Sequence, residues 1–145
     1  MIRRATMADK FRVLLLAKNF HEASGLPIPF NPPYASILFD QFLTAPEKIC
    51  IVLDRDGVQG VLAAQVGFLP IAPVRAATEV IWWIEPEYRG RDALHMLAAY
   101  EAWAEEQGCS FVNMVGLGSD PLPAKFYERR GYIAAERHFM KPIAS

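Results

Sequence analysis

The chain is 145 residues long, a length that fits one domain over residues 1–145, and it carries a net charge of -1 at pH 7. This charge provides no basic field for nucleic acid, and a composition of 52% hydrophobic and 21% charged residues excludes a disordered chain. Cys50 and Cys109 have no metal-ligand spacing, and no apolar run is long enough for a membrane span or an export signal. The sequence therefore predicts a cytoplasmic globular protein with no metal site, no nucleic-acid partner and no membrane contact.

The first half of the chain alternates between strand and helix patterns. Runs of β-branched residues predict strands, and apolar residues at intervals of three and four predict helices. Thr6 with Asp9 is typical of a capping box that begins a helix, and Asp56-Gly57 is a hairpin signal. In chain order the predicted elements are a strand at 2–5, a helix from 6 to about 23, a proline-rich loop at 24–33, a helix at 34–43, and strands at 48–54 and 58–69.

The second half has a strand-helix-strand pattern. Its predicted elements are a strand at 78–84, a helix at 92–107, a strand at 110–115, a Gly/Pro-rich loop at 116–123, a short helix at 124–130 that Gly131 ends, and a last strand at 132–140. Hairpins come first and the strand-helix-strand unit follows. That order predicts a mixed sheet with helices on its faces.

The segment over residues 78–97 (TEVIWWIEPEYRGRDALHML) is the most informative part of the chain. A strand ends near Ile84, Arg89-Gly90-Arg91 forms a turn, and a helix begins at Asp92. The first N–H groups of such a helix have no internal partners and carry the positive end of the helix dipole, so they suit a phosphate group. The alternative is an ordinary strand-to-helix connection with arginines that face solvent.

Two stretches resemble motifs of the GNAT acetyltransferases. Residues 86–91 (PEYRGR), followed by an amphipathic helix, resemble the family's acetyl-CoA-binding pattern (Q/R)-x-x-G-x-(G/A). Residues 124–132 (AKFYERRGY) are similar to its A-x-x-Y-E-x-x-G-(F/Y) segment. The loop asparagine that often precedes this segment is missing, with Asp120 near its place.

This resemblance, strongest over residues 78–132, implies a fold and a function. The implied fold is the α/β (α+β) GNAT fold, a mixed, mostly antiparallel central sheet of about six to seven strands with helices on both faces. The implied function is an N-acetyltransferase that uses acetyl-CoA as cosubstrate and an amine, on a small molecule or a protein, as acceptor. The reaction would be direct attack in a ternary complex, because neither cysteine lies in a nucleophile position.

The resemblance also implies where acetyl-CoA lies. The implied cofactor-binding residues are Trp83, Ile84, Arg89, Gly90, Arg91, Asp92, Ala93 and Leu94. Asp92 and Leu94 stand where the family usually has glycine or another small residue. The leucine would cost room, and at about 5 Å with an effective dielectric of about 20–40 the aspartate would repel a phosphate by roughly 2–3 kcal/mol. Alternatively Asp92 caps the helix, or its side chain turns to Arg89 or Arg91.

Two side chains are candidates for the chemistry. Glu79 lies on the strand that would hold the thioester, where several family members carry a base, and a period of two puts it on one face with Ile81 and Trp83. Tyr127 resembles the family's general acid, whose phenol of pKa ~10 would protonate a thiolate of pKa ~8.5. Backbone N–H groups around Trp83 and Ile84 would polarise the carbonyl. The alternatives are a sheet-edge glutamate in an ion pair and a tyrosine that only packs.

Two further alternatives stay open. The departures at Asp92 and Leu94 also fit a catalytically impaired GNAT-fold module that binds CoA or a protein partner. The apolar, proline-rich loop at residues 27–34 stands where the family builds its acceptor wall, so it is interpreted either as a specificity loop or as the contact of a possible homodimer.

Overall fold

The computed structural model describes residues 1–115 and 121–143, and its centre is a mixed β-sheet. Within the described residues the sheet has five strands in the order β1-β2-β3-β4-β5. All neighbours are antiparallel except β4 and β5, which are parallel. The strands are β1 (Ile2–Arg4), β2 (Lys48–Asp54), β3 (Val58–Phe68), β4 (Arg75–Ile84) and β5 (Phe111–Asn113).

Four α-helices surround the sheet within the same residues, and local signals in the sequence define several of their ends. The Asp9 side chain accepts the Thr6 N–H at 2.8 Å, which confirms a cap ahead of the first helix. The Asn31 side chain accepts the Tyr34 N–H at 3.0 Å and so caps the second helix. Gly131 ends the last helix with a φ of 91°, a conformation that suits glycine. The helices are α1 (Lys10–Ser24), α2 (Pro32–Thr44), α3 (Arg91–Glu106) and α4 (Pro121–Arg129).

Two apolar cores lie on opposite faces of the sheet. α3 covers one face, where Met96 and Tyr100 are fully buried. α1 and α2 cover the other face with side chains such as the fully buried Leu16. Along β3, Leu62 belongs to the core under α3, whereas Val61 belongs to the core under α1 and α2. The alternation of a strand therefore separates the two cores.

The predicted sheet is larger than the one observed. The expected last strand at 132–140 forms no ladder in the described structure, and residues 133–140 are exposed, with Ile133 and Phe139 facing solvent. A strand forms only where its N–H and C=O groups find ladder partners, and the neighbouring edge strand β5 is just three residues long. The described residues therefore form five strands, slightly fewer than the six to seven predicted.

The C-terminal end of the loop predicted at 116–123 also differs from the prediction. α4 begins at Pro121, three residues earlier than expected, because proline is well suited to the first turn of a helix. Residues 116–120, with the site of the missing asparagine at Asp120, lie outside the described residues. No helix in the described ranges is both long and apolar enough to cross a membrane.

Candidate functional site

The strand pair β4 and β5 opens partway along its length. Ala76 to Thr78 pair with Phe111 to Asn113, and β5 then ends. β4 continues to Ile84 without β5 beside it. The second half of β4 therefore has no described strand on the side away from β3, and we refer to that side as the cleft.

A β-bulge at Val80, at the start of this cleft, puts the side chains before and after it on opposite faces of β4. Glu79 pairs with Ala64, but Ile81 pairs with Ala63, so Val80 is an extra residue without a partner on β3. Residues that pair directly share a face, and Ala64 belongs to the core under α3 while Ala63 belongs to the core under α1 and α2. The prediction that Glu79 shares a face with Ile81 and Trp83 is therefore wrong. Period two holds only in an unbroken strand, and the bulge moves Glu79 to the α3 side.

Glu79 is a buried carboxyl group without a cation beside it. It is 6% exposed, and the Val115 N–H donates to it. Burial raises the pKa of Glu79 from 4.5 to about 8, and the Val115 hydrogen bond only partly opposes that rise. No Lys, Arg or His of the described residues lies within ion-pair distance of it. The alternative of a sheet-edge ion pair is not observed.

Tyr127 lies on the same side of the sheet as Glu79. Its ring is 6.2 Å from the Trp82 ring and 5.7 Å from the Tyr132 ring, measured between centroids. Burial, followed by the negative charge of Glu79, raises the pKa of Tyr127 above its usual value. The phenol therefore keeps its proton at neutral pH and lies within the electrostatic reach of the carboxyl group.

Tyr100 is a further residue near this site that sequence reasoning missed. Its hydroxyl donates to the Asn113 carbonyl oxygen at 2.8 Å, at the point where β5 ends and the cleft begins. The charge of Glu79 contributes to the raised pKa of Tyr100, although burial is the larger cause. Tyr100 belongs to the apolar stripe of α3, so the sequence pattern indicated only a core residue.

Arg89 connects the turn to the end of β4. Its Nε donates to the Ile84 carbonyl oxygen at 2.7 Å, and its guanidinium lies 4.6 Å from the centroid of the Trp83 ring. The Glu85 N–H donates to Gln59 on the β3 side. By the alternation of an antiparallel ladder, the N–H groups of Ile84 and Trp82 then face the cleft, whereas that of Trp83 faces β3. Of the two predicted backbone donors, only Ile84 points toward the open edge.

A polar cavity of about 330 Å³ lies at the N-terminal end of α3. Its charged lining comprises Arg55, Glu87, Arg89, Arg91 and Asp92. Gly90 is the N-cap residue of α3 and has a φ of 147°, a conformation that favours glycine.

The wall of this cavity differs from the predicted set of cofactor residues. Ala93 and Leu94 are not among the residues that line it, and the Leu94 side chain is partly exposed to solvent. The predicted loss of room from Leu94 is therefore not observed at this cavity.

Asp92 is paired across the site with a residue that no local pattern indicated. Arg55, in the turn between β2 and β3, donates to the Asp92 carboxylate at 2.8 Å, and His95 lies 3.5 Å from it. The Arg55 guanidinium holds the pKa of Asp92 below its usual range. Both predicted alternatives are wrong, because Gly90 is the N-cap and neither Arg89 nor Arg91 is the partner.

Comparisons with known proteins agree with this architecture. A model of the acetyltransferase (GNAT) family matches residues 16–132, whereas no curated protein sequence matches the chain. A predicted acetyltransferase with acetyl-CoA from Clostridium acetobutylicum is similar at a TM-score of 0.81 and 16% identity, over 99% of this chain and 96% of that chain. AAC(6')-Iy in complex with the bisubstrate analogue CoA-S-monomethyl-acetylneamine is similar at a TM-score of 0.79 and 17% identity, over 100% and 98%. A transcriptional regulator from Bacillus halodurans C-125 is similar at a TM-score of 0.77 and 18% identity, over 99% of each chain.

Proposed function

We propose a function for this chain, which belongs to the GNAT acetyltransferase family. It forms a single domain over residues 1–145 and transfers an acetyl group from acetyl-CoA to an amine. The observation that carries the proposal is the open edge of β4. Arg89 links one end of that edge to the α3 cavity, because it donates to the Ile84 carbonyl oxygen and lines the cavity. Glu79 lies toward the other end, on the same face as Tyr127. A ligand with an anionic head and a reactive tail matches that arrangement.

The charges at the α3 cavity support binding of the pyrophosphate of acetyl-CoA. Three arginines line it against two carboxylates, and the Asp92 charge is already compensated by Arg55 at 2.8 Å. The N-terminal N–H groups of α3 add the positive end of the helix dipole. The pantetheine arm would then follow the unpaired β4 edge and bond to N–H groups such as that of Ile84.

The proposed reaction uses the two candidate side chains in different roles. The amine nitrogen attacks the thioester carbonyl carbon, the new C–N bond forms, and the C–S bond breaks. Glu79 accepts the proton that the amine loses, directly or through a water molecule, and its pKa of about 8 suits a base at neutral to mildly alkaline pH. Tyr127 donates its proton to the departing sulfur. Its raised pKa makes this transfer less favourable unless the same burial also raises the pKa of the thiol.

The test is an assay of CoA thiol release from acetyl-CoA with a panel of primary amines. We expect turnover by the parent chain, and Tyr127→Phe should lower kcat by about 10- to 100-fold with little change in KM. The control is Glu106→Gln, because Glu106 is exposed at the end of α3 and does not line the α3 cavity. A kcat for Tyr127→Phe within twofold of the parent would remove Tyr127 from the mechanism.

The Asp92 carboxylate in the first turn of α3 supports a second candidate, a module that binds CoA or a protein partner without turnover. Thermal melting with acetyl-CoA separates the two. A ligand at 100 times its Kd stabilises a protein by about 2.7 kcal/mol, a rise in melting temperature of several degrees. A rise without CoA release from any amine supports the module, whereas no rise at millimolar acetyl-CoA argues against CoA binding altogether.

A further inference from the structure

An apolar cavity of about 280 Å³ lies between the sheet, α1 and α2. Helix residues such as Ala17 and Ala35 form one side, β4 contributes Val80 and Ile81, and Phe30 comes from the loop before α2. No Asp, Glu, Lys or Arg of the described residues lines this cavity. It therefore differs sharply from the charged cavity at α3.

The apolar cavity borders the bulge in β4, next to the proposed reaction site. Val80 and Ile81 line it at the point where the bulge reverses the faces of the strand. Glu79 precedes them and points to the other face. Because β5 pairs with β4 only as far as Thr78, no described strand closes the edge beside these residues. The lining of the cavity and the Glu79 carboxyl group therefore come from consecutive residues of β4.

The lining indicates what such a molecule is made of. An apolar cavity of about 150 Å³ is enough to hold benzene, so this one has room for an aromatic ring and a short chain. If the acceptor carried a positive charge besides its reacting amine, the cavity would bury that charge without a counter-ion, which is strongly unfavourable. His21 also lines the cavity, and its Nε2 contacts the Ile28 carbonyl oxygen.

We propose that this cavity selects an arylalkylamine as the acceptor, with the aromatic ring in the cavity and the primary amine at the β4 edge. The inference rests on the proposed acetyl transfer and gives it a substrate class. Apolar surroundings also lower the pKa of an amine, because they disfavour its charged form. The site therefore helps to produce the neutral amine that attacks the thioester.

The test compares 2-phenylethylamine with ethylamine and with the polyamine spermidine in the CoA-release assay. Burial of the ring should raise kcat/KM for 2-phenylethylamine about 10- to 100-fold above that for ethylamine, with spermidine no better than ethylamine. Equal or higher kcat/KM for ethylamine or spermidine would overturn the acceptor class while leaving acetyl transfer intact.

A cavity-filling variant ties the selectivity to this site. Ala17→Phe should lower the ratio of kcat/KM for 2-phenylethylamine to kcat/KM for ethylamine by at least about tenfold. Ala98→Phe is the matched control, since Ala98 is exposed on α3 and is not part of the lining. If Ala17→Phe fails to fold, Ala35→Leu provides the smaller change on α2. Unchanged selectivity in a folded variant would overturn the inference.

A binding measurement tests the cavity even without turnover. 2-Phenylethylamine alone should raise the melting temperature of the parent and of Ala98→Phe, but not that of Ala17→Phe. No rise in the parent would overturn the inference, whether or not acetyl transfer is observed. Failure of acetyl transfer with every amine, together with a clear rise here, would remove the proposed function and keep the cavity as an arylalkylamine site.

Discussion

Val80 is a single extra residue in β4, and it decides which side chains meet at the candidate site. Without it, Glu79 would face α1 and α2 with Ile81, away from Tyr127. With it, Glu79 joins the core under α3, where its charge affects the pKa values of both Tyr127 and Tyr100. The segment TEVIWW contains no glycine or proline to mark a bulge, so only the pairing with β3 reveals it. The sequence therefore predicted the residue types at the site, but not the face of the sheet on which each side chain lies.

The pKa of Glu79 predicts the pH dependence of the proposed reaction. A base with a pKa of about 8 is mostly protonated at pH 7, so kcat/KM should rise with pH through about 8 and then level until the amine itself titrates. Glu79→Gln should remove the step near pH 8 and lower kcat/KM at pH 8.5 by about 10- to 100-fold. The measurement is a pH–rate profile from pH 6 to 9.5.

A matched control for Glu79→Gln is Glu106→Gln, because Glu106 is exposed at the end of α3. Its profile should overlay that of the parent. If the step near pH 8 persists in Glu79→Gln, the titrating base is another group.

Asp92 provides a second prediction at this scale. Replacement by asparagine keeps the size of the side chain but removes a negative charge beside the expected pyrophosphate, and it frees the Arg55 charge as well. We expect acetyl-CoA to bind about 3- to 10-fold more tightly, less than an unpaired aspartate would predict because Arg55 already compensates much of its charge. Isothermal titration at low and high salt measures the effect, which salt should weaken.

Arg55→Gln is the companion variant for this test. It removes a cation from the cavity and leaves Asp92 uncompensated, so acetyl-CoA should bind more weakly. Weaker or unchanged binding by Asp92→Asn would instead mean that Asp92 serves mainly to hold Arg55 in position.

Local signals predicted most elements, and the errors lie where strand pairing decides the outcome. Strand β2 matches its predicted bounds of 48–54, and the hairpin at Asp56-Gly57 is confirmed by positive φ values of 55° and 103°. Pairing decides the rest. β5 spans only three of the six residues predicted at 110–115, and the apolar pattern at 132–140 forms no described strand. The pair between Arg55 and Asp92 joins residues 37 apart in sequence, beyond any local pattern.

Gly60 fixes how closely α3 approaches the sheet. A Cβ atom there would lie 3.2 Å from Ile84 Cγ1, 3.2 Å from Leu53 Cβ and 3.4 Å from Met96 Sδ. Gly60→Ala should therefore lower the free energy of unfolding by about 1–2 kcal/mol, because the buried neighbours must move apart. Urea denaturation measures the change.

The chain offers a control for Gly60→Ala in the same strand. A Cβ on Gly67 would have no atom within 4 Å, so Gly67→Ala should be neutral or slightly stabilising. Equal destabilisation by both variants would show that loss of glycine from β3, rather than crowding against α3, is responsible.

At the scale of the whole molecule, the predicted family is confirmed and the sheet is the part that differs. Motifs within 78–132 identified the family, and the matching family model covers residues 16–132. The mixed, mostly antiparallel sheet with helices on both faces also agrees. Glu79 follows the last described β4–β5 pair, and it is buried rather than ion-paired on the surface. A buried carboxyl group of this kind should affect the stability of the entire fold.

The pKa shift of Glu79 determines whether the stability of the fold rises or falls with pH. The folded chain holds the proton up to about pH 8, whereas the unfolded chain releases it near 4.5. Between these values the folded state binds more protons, so its stability falls as pH rises. The protonated Glu79 carboxyl group thus contributes at most about 5 kcal/mol to stability. This contribution is fully present below about pH 4.5 and is lost by about pH 8. Asp9 acts in the opposite sense, since Arg3 lowers its pKa and its contribution is lost only in acid.

We therefore expect the free energy of unfolding to fall by a few kcal/mol from pH 5 to pH 8 and to change little just above. Glu79→Gln should flatten this slope, because glutamine cannot ionise, and it should be more stable than the parent at pH 8.5. Urea denaturation at half-unit pH intervals measures both curves, with Glu106→Gln expected to follow the parent. A parent whose stability rises or stays level from pH 5 to 8 would show that Glu79 ionises near its ordinary pKa, and a base of ordinary pKa would also move the step in the rate profile to acid pH.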